Sequence, residues 1–479
     1  MNKLKTLAGE TALYGLGSML PRMLNFLLVP LHTINMFSRA EYGEITKLLS
    51  IVAFVNVVYM FGMETAFFRF ATKPGADPKR IFNLAQTGVL LISVPLSIVF
   101  YVFAPAIAPK LGIGAHPEFI QWLTVIMLID ATVAIPFAQL RLLKRPVLFA
   151  SAKLINVLVL IALNYYFLKL NFDPTVGIGY VFLANLFANS LYVLFFAKTL
   201  LQYRPAFDKQ LTPAMLKYAY PVMLTGVAGM TNEMFSRLTL DWWLPENFYG
   251  TISNEDALGV FGASYKYAVF MNLGIQAFRY AAEPFFFSHA ASKNSPELFA
   301  KVNHFFTIAG CFVLLGVTLN LDLFQYLIGS EFRIGLTIVP VLLLAYLCLG
   351  IYYNMSIWFK LTDRTYMGTL ITTLGAVLTI AANYVLIPLY GYTGSSYAAL
   401  ICYASMMGAC YLLGQKYHPI PYQLGGELGY VILAFLLIWV SSLIPFSGQW
   451  ILTASHATLM ALFLLVVYWR ERSYWKASA

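Results

Sequence analysis

Nine residues, EMFSRLTLD at 233–241, set Glu233, Arg237 and Asp241 four positions apart. On a helix that spacing places all three on one face. A little further on, Asn272, Gln276, Arg279 and Glu283 recur at i, i+4, i+7 and i+11, a polar stripe on an otherwise apolar segment. A guanidinium fork matches phosphate oxygens bidentately. An arginine set among amides therefore suits a polyhydroxylated or phosphorylated ligand. Arg22 and Asn25 form a smaller group of the same kind, and Lys266 is a further cation on a different side of the 272–283 helix. Glu64, Asp130, Glu233, Asp241 and Glu283 are carboxylates in apolar surroundings, where a proton or a sodium ion could be bound and released. Asp130 has no basic residue at i±3 or i±4. The alternative for every member is structural: Glu233–Arg237, Arg237–Asp241 or Arg279–Glu283 pairs could simply hold helices together.

The elements that carry these residues are membrane spans. The chain has 479 residues, 60% hydrophobic and only 11% charged, with a mean hydropathy of +0.72. Soluble domains sit near 45–50% apolar and about 25% charged. About 20 apolar residues cross a bilayer core, and apolar runs bounded by charge, Pro and Gly predict fourteen spans. The first six cover 11–35, 45–68, 82–108, 118–140, 147–168 and 175–201. The next six cover 214–241, 258–284, 302–321, 336–358, 366–389 and 393–414. The last two lie at 428–446 and 449–468. A charge facing hydrocarbon costs about 2.5–3.5 kcal/mol even on the mildest scales, so the polar stripes must face the bundle interior.

With the N-terminus inside, 22 of the 31 basic residues fall on the inner side, from Lys3 and Lys5 through Lys293 to Arg470, Arg472 and Lys476. Five (Arg39, Lys47, Lys110, Lys169, Arg333) fall at the outer side. That asymmetry puts both termini in the cytoplasm. It also removes nucleic acid as the reason for a net charge of +10, because the basic residues are dispersed over eight inner segments. Cys311, Cys348, Cys402 and Cys410 lie in apolar runs without metal-ligand spacing.

At an offset of 219 positions the chain resembles itself. Tyr42-Gly43 and Lys47 face Phe261-Gly262 and Lys266, Glu64 faces Glu283, and Phe67-Phe68 face Phe286-Phe287. Span 2 thus repeats as span 8, a parallel repeat that implies two six-helix lobes. The expected organisation is an N-terminal lobe at 1–205, a C-terminal lobe at 206–415 and a two-span appendix at 416–479. Two lobes turning polar faces toward each other would enclose a water-filled cavity. Pro30, Pro95, Pro136, Pro221, Pro284, Pro340 and Pro388 are candidate kinks or hinges. No GxxxxGK[ST] loop or HExxH motif is present and the six histidines are scattered, so neither cofactor nor metal is expected. The chain reads as a transporter and not as an enzyme.

Two stretches carry a family likeness. YGLGSMLPRMLNFLLVPLHTINMFSRAEYG (14–43) resembles the first helix and turn of the prokaryotic polysaccharide flippases of the multidrug/oligosaccharidyl-lipid/polysaccharide exporter superfamily. IWFKLTDRTYMGTLITTLGAVLTIAANYVLIPLYGYTGSSYAALICYASM (357–406) is similar to their C-terminal module, in which an Asn precedes an IP-x-x-G-x-x-G turn, here Asn383, Ile387-Pro388, Gly391 and Gly394. The resemblance implies an all-α membrane protein of the bacterial cytoplasmic membrane. It would move an undecaprenyl-pyrophosphate-linked oligosaccharide from the inner to the outer leaflet by alternating access. Arg22, Lys266 and Arg279 would contact the pyrophosphate or acidic sugars, and other polysaccharide-assembly proteins would be partners. Lipid II flippases of the superfamily carry several arginines in the first helices, and Arg22 stands alone here, which favours a surface-polysaccharide unit. The alternatives are a lipid II flippase, a cation-coupled multidrug antiporter and, from another class, a membrane polysaccharide polymerase.

Overall fold

The computed structural model describes Gly15, Gly17, residues 19–290, 292, 294–443 and 448–478. Lys3, Lys5, Tyr14 and Lys293 lie outside the described residues, as do the side chains of Pro284 and Lys476. Helical residues 19–25 lead through a turn at 26–27 into α1 (Leu28–Thr33). Then follow α2 (Arg39–Ala71), α3 (Pro78–Val102), α4 (Pro117–Leu142) and α5 (Pro146–Leu170). The chain continues through α6 (Gly179–Phe195), α7 (Leu211–Trp243) and α8 (Asn254–His289) to α9 (Ser295–Leu319) and α10 (Ser330–Leu361). It ends in α11 (Tyr366–Tyr417), α12 (Leu424–Leu443) and α13 (Gln449–Ser478).

Among the described residues nine helices are long and apolar enough to cross a membrane. α7 and α8, of 33 and 36 residues, are also long enough but carry the charged stripes. α11 spans 52 residues, about 78 Å at 1.5 Å per residue, twice what a bilayer needs. It is two spans joined at Gly391, whose φ of 60° and ψ of −137° interrupt the helix. A Cβ on Gly391 would stand 2.1 Å from the Tyr249 hydroxyl, and one on Gly394 2.1 Å from the Leu386 carbonyl oxygen. The two motif glycines are thus a backbone requirement. Apart from residues 11–14, 16, 18 and 444–446, which lie outside the described residues, the fourteen expected spans fall on described helices, and the protein is an all-α, multi-pass membrane protein.

Local sequence sets the helix starts. Ser38 and Glu41 make a reciprocal capping box at the head of α2. Pro78, Pro117 and Pro146 occupy the first turn of α3, α4 and α5, where a missing N–H costs nothing. α2 bends at Phe61-Gly62, both with positive φ, and a Cβ at Gly62 would lie 2.6 Å from the Ala219 carbonyl of α7.

By packing compactness the chain forms two units. The first runs to Asp241 and includes Thr251–Gly259; the second holds Trp242–Gly250 and Val260 onward. The first unit's core gathers Tyr59, Met63, Phe67, Phe82, Met127 and Met215 from α2, α3, α4 and α7. Compactness and internal repetition are separate criteria, so the lobe limits 1–205 and 206–415 remain readings of the sequence. In the second unit α12 and α13 are fastened to α9. The Tyr430 hydroxyl donates to Glu471 at 2.6 Å, His304 meets the same carboxylate at 3.2 Å, and Asn303 donates to Glu427 at 3.0 Å. Four cysteines are buried as free thiols.

Candidate substrate and coupling sites

Each unit contains one acid–cation pair that follows the sequence repeat. In the first unit Glu64 of α2 pairs with Arg141 at the end of α4. In the second, Glu283 of α8 pairs with Lys360 at the end of α10, 2.7 Å apart. Each pair bridges 77 residues, and the two are related by the offset of 219 that relates α2 to α8. The match extends into the turns that follow. RLLKR (141–145) faces KLTDR (360–364). Lys144 and Asp363 both take positive φ, 52° and 55°. Arg145 N–H donates to Leu140 O and Arg364 N–H to Phe359 O, both at 2.9 Å. Buried Asn164 and Asn383 also share the offset, and each donates to the carbonyl four residues back. The repeat is therefore a property of backbone and ion pairs alike.

The α8 stripe forms as its spacing demands. Gln276 donates to Asn272 at 3.4 Å, Arg279 stands 3.7 Å from Glu283, and the Arg279 guanidinium lies 4.0 Å from the Tyr353 ring centroid. The ring's negative face attracts the cation. Glu283 thus serves two cations, Arg279 and Lys360. Lys266 is half-buried on the same helix.

On α7 the charges pair differently from the i,i+4 expectation. Asp241 takes Lys47 of α2, both side chains buried, and Lys47 also donates to Leu111 O at 3.3 Å. Lys47 is therefore no outer-surface cation. Arg237 donates to the backbone carbonyl of Glu233 at 2.7 Å, with Glu233 and Arg237 half-buried. The α2 surface beside this pair is closely packed: a Cβ on Gly43 would stand 2.3 Å from the Glu255 carbonyl, and Arg39 faces Asp256 at 3.8 Å.

Asp130 is not solitary. It accepts from Asn189 of α6 at 3.0 Å and from Asn56 of α2 at 3.4 Å, and Asn156 of α5 in turn donates to Asn189 at 3.0 Å. Lys153 of α5 lies over the Phe137 and Tyr192 rings at 4.2 and 4.7 Å. Its ammonium is within electrostatic reach of Asp130, Glu64, Arg141 and Arg22. Arg22 and Asn25 themselves are exposed on helical residues 19–25.

The structure thus joins Asn272, Gln276, Arg279 and Glu283 on one face, and gives Glu64, Asp130 and Asp241 partners from other helices. Sequence reasoning missed those partners: Arg141, Lys360, Lys47, Lys153, Asn56 and Asn189. For Arg141 and Lys360 a signal existed, since the 219 offset continues through RLLKR and KLTDR. For the others none did, because contacts between distant helices leave no spacing in the chain.

No family model matches this sequence, and no curated protein matches it. Solved structures do. The fold is similar to that of the lipid II flippase MurJ in an inward closed conformation, with a TM-score of 0.74 and 15% identity over 95% of this chain and 99% of that one. It is also similar to an inward-facing multidrug resistance MATE family transporter of the MOP superfamily, with a TM-score of 0.65 and 14% identity over 85% of this chain and 94% of that one. A third is the MATE multidrug transporter DinF-BH, with a TM-score of 0.62 and 15% identity over 87% of this chain and 96% of that one. At these identities the likeness is one of fold: the helical architecture of transporters and flippases.

Proposed function

We propose that this protein is a flippase that carries an undecaprenyl-pyrophosphate-linked oligosaccharide from the inner to the outer leaflet of a bacterial cytoplasmic membrane by alternating access. The observation that carries the reading is the α8 stripe, where Asn272, Gln276 and Arg279 offer amides and a guanidinium placed over the Tyr353 ring. Amides pair with sugar hydroxyls in either direction, and the guanidinium fork fits a phosphate. Arg22, Asn25, Arg237 and Lys266 complete the proposed substrate set. Glu64, Asp130, Glu233, Asp241 and Glu283 form the proposed coupling set. Within it Asp130 is the strongest candidate: it is held by two amides, with Lys153 as a tethered counter-cation that an incoming proton or sodium ion would compete with.

Lipid II is a second substrate reading, supported by the fold likeness to a lipid II flippase and opposed by the single arginine ahead of α2. The experiment is leaflet exchange in liposomes. Purified protein is offered a lipid-linked oligosaccharide, lipid II and a lipophilic cation in turn, with and without proton and sodium gradients. Arg279→Ala should abolish exchange of the oligosaccharide and Arg279→Lys should keep part of it. Exchange of the cation alone would overturn the flippase reading in favour of a multidrug antiporter.

A further inference from the structure

Within the second unit α8 and α9 part to leave a cavity of about 790 Å³ whose lining is almost wholly apolar. Its origin is a set of missing side chains. Gly274 and Ala277 on α8 and Ala309 on α9 line it with little or no side chain, and the walls are Phe278, Phe305 and Phe306. The Phe278 and Phe306 rings touch at 4.7 Å between centroids, and Phe306 is backed by the close approach of Gly350. Gly274, Ala277 and Ala309 are exposed, so the space opens sideways as a groove.

Three features point to an occupant. The lining runs along α9 from Lys301 to Val313, about 18 Å at 1.5 Å per residue, close to one leaflet of a hydrocarbon core about 30 Å thick. Lys301 stands at one end as the sole charged lining residue, at the end that the distribution of basic residues assigns to the cytoplasm. That is where an anionic lipid head lies when its chain fills one leaflet. On α8, finally, three of the five lining residues are followed by a member of the polar stripe: Met271 by Asn272, Ile275 by Gln276, Phe278 by Arg279. Successive residues are about 100° apart, so one helix turns an apolar groove to one side and a sugar- and phosphate-binding face to the next. A simple phospholipid has no use for that second face. An amphiphile with an extended polar head does.

We propose that the α8–α9 groove holds the hydrocarbon chain of a polyprenyl diphosphate, with the diphosphate toward Lys301 and the head group on the Asn272–Arg279 face. This rests on the proposed transport of a lipid-linked substrate and adds to it a place for the chain. The test uses full-length protein in detergent and geranylgeranyl diphosphate as probe, with inorganic pyrophosphate as the chainless control. Gly274→Leu is benign for folding, since nothing lies within 4 Å of the added Cβ. Ala309→Trp fills the same groove from α9.

Each variant should weaken geranylgeranyl diphosphate by about tenfold or more and leave pyrophosphate binding and thermal unfolding unchanged. Wild-type affinity in both variants overturns the proposal. So does displacement of the probe by phosphatidylglycerol at equal affinity, which would make the groove a general lipid contact. If wild-type protein exchanges no lipid-linked oligosaccharide yet the variants still lose the probe, the transport reading fails and the groove stands. Exchange with unaltered binding in both variants sinks the groove alone.

Discussion

The two repeat-related regions share a skeleton and differ in what they put inside it. Glu64–Arg141 and Glu283–Lys360 are the same bridge, followed by the same left-handed turn. Between those fixed points the chemistry diverges. Asn56, which holds Asp130, has Ile275 as its counterpart, a wall of the apolar groove. Asp130 corresponds to buried Leu349, and Lys153 to Thr372. Met60 corresponds to Arg279. One region thus carries a buried carboxylate in an amide network, and the other an apolar groove beside a polar stripe. The lesson is that the bridges and turns set helix placement, while the interior positions are free to specialise. The repeat provides two frames whose interiors carry different chemistry.

That contrast can be broken at Lys47 and its counterpart Lys266. Lys47→Met leaves Asp241 buried without its partner and should destabilise the protein by about 3–5 kcal/mol, read by denaturant unfolding in detergent. Lys47→Met with Asp241→Leu should recover most of that loss. Lys266 is half-buried, so Lys266→Met should cost less than half as much; equal costs would show that the two sites are not distinguished by burial.

Exchanging the interior residues is the next largest effect. Asn56→Ile removes a hydrogen bond to Asp130 and Ile275→Asn places an unpartnered amide in the groove, and each should cost about 1–3 kcal/mol. Asn56→Ile should also blunt the response of transport to an ion gradient, which Ile275→Asn should leave alone.

Smaller still is the difference between the bridges. Glu283→Gln strands two cations and Glu64→Gln one, so exchange in liposomes should fall about tenfold, some 1.4 kcal/mol, for Glu283→Gln and clearly less for Glu64→Gln. Identical losses would mean that Arg279 does not depend on Glu283.

The mildest effect lies outside the spans. Asp208, in the segment before α7, accepts the backbone N–H groups of Leu211 and Gln210 at 2.8 Å each and pairs with Arg80. Those bonds hold its carboxyl below the usual carboxylate range. A lowered native pKa stabilises above the unfolded value and is lost as pH falls through the native one. Asp208→Asn should therefore lower the unfolding temperature slightly near neutrality and match wild type only once pH has fallen below the depressed native pKa of Asp208, where both side chains are neutral.

Much of the fold was legible because hydrocarbon imposes a simple rule on sequence. Helices must be about 20 apolar residues long and basic residues collect on one side, so the fourteen spans could be counted. The stripe Asn272, Gln276, Arg279, Glu283 was legible because neighbours on one helix are neighbours in sequence. The partner of Asp241 was not legible for the opposite reason: its i−4 residue is Arg237, yet it pairs with Lys47, almost two hundred positions away. Asp130, which has no base in helical reach, has Lys153 from α5 nearby.

The sequence by itself determined that this chain crosses a membrane many times, repeats itself, and carries charge where lipid forbids it. Only the tertiary structure decided which charge answers which, and that two phenylalanine-walled helices part around glycine and alanine to leave a groove. The physical reason is range. Hydropathy and helical period act over a few turns and are written in neighbouring residues, whereas the cost of a buried charge or an empty space is settled by whatever distant helix packs against it.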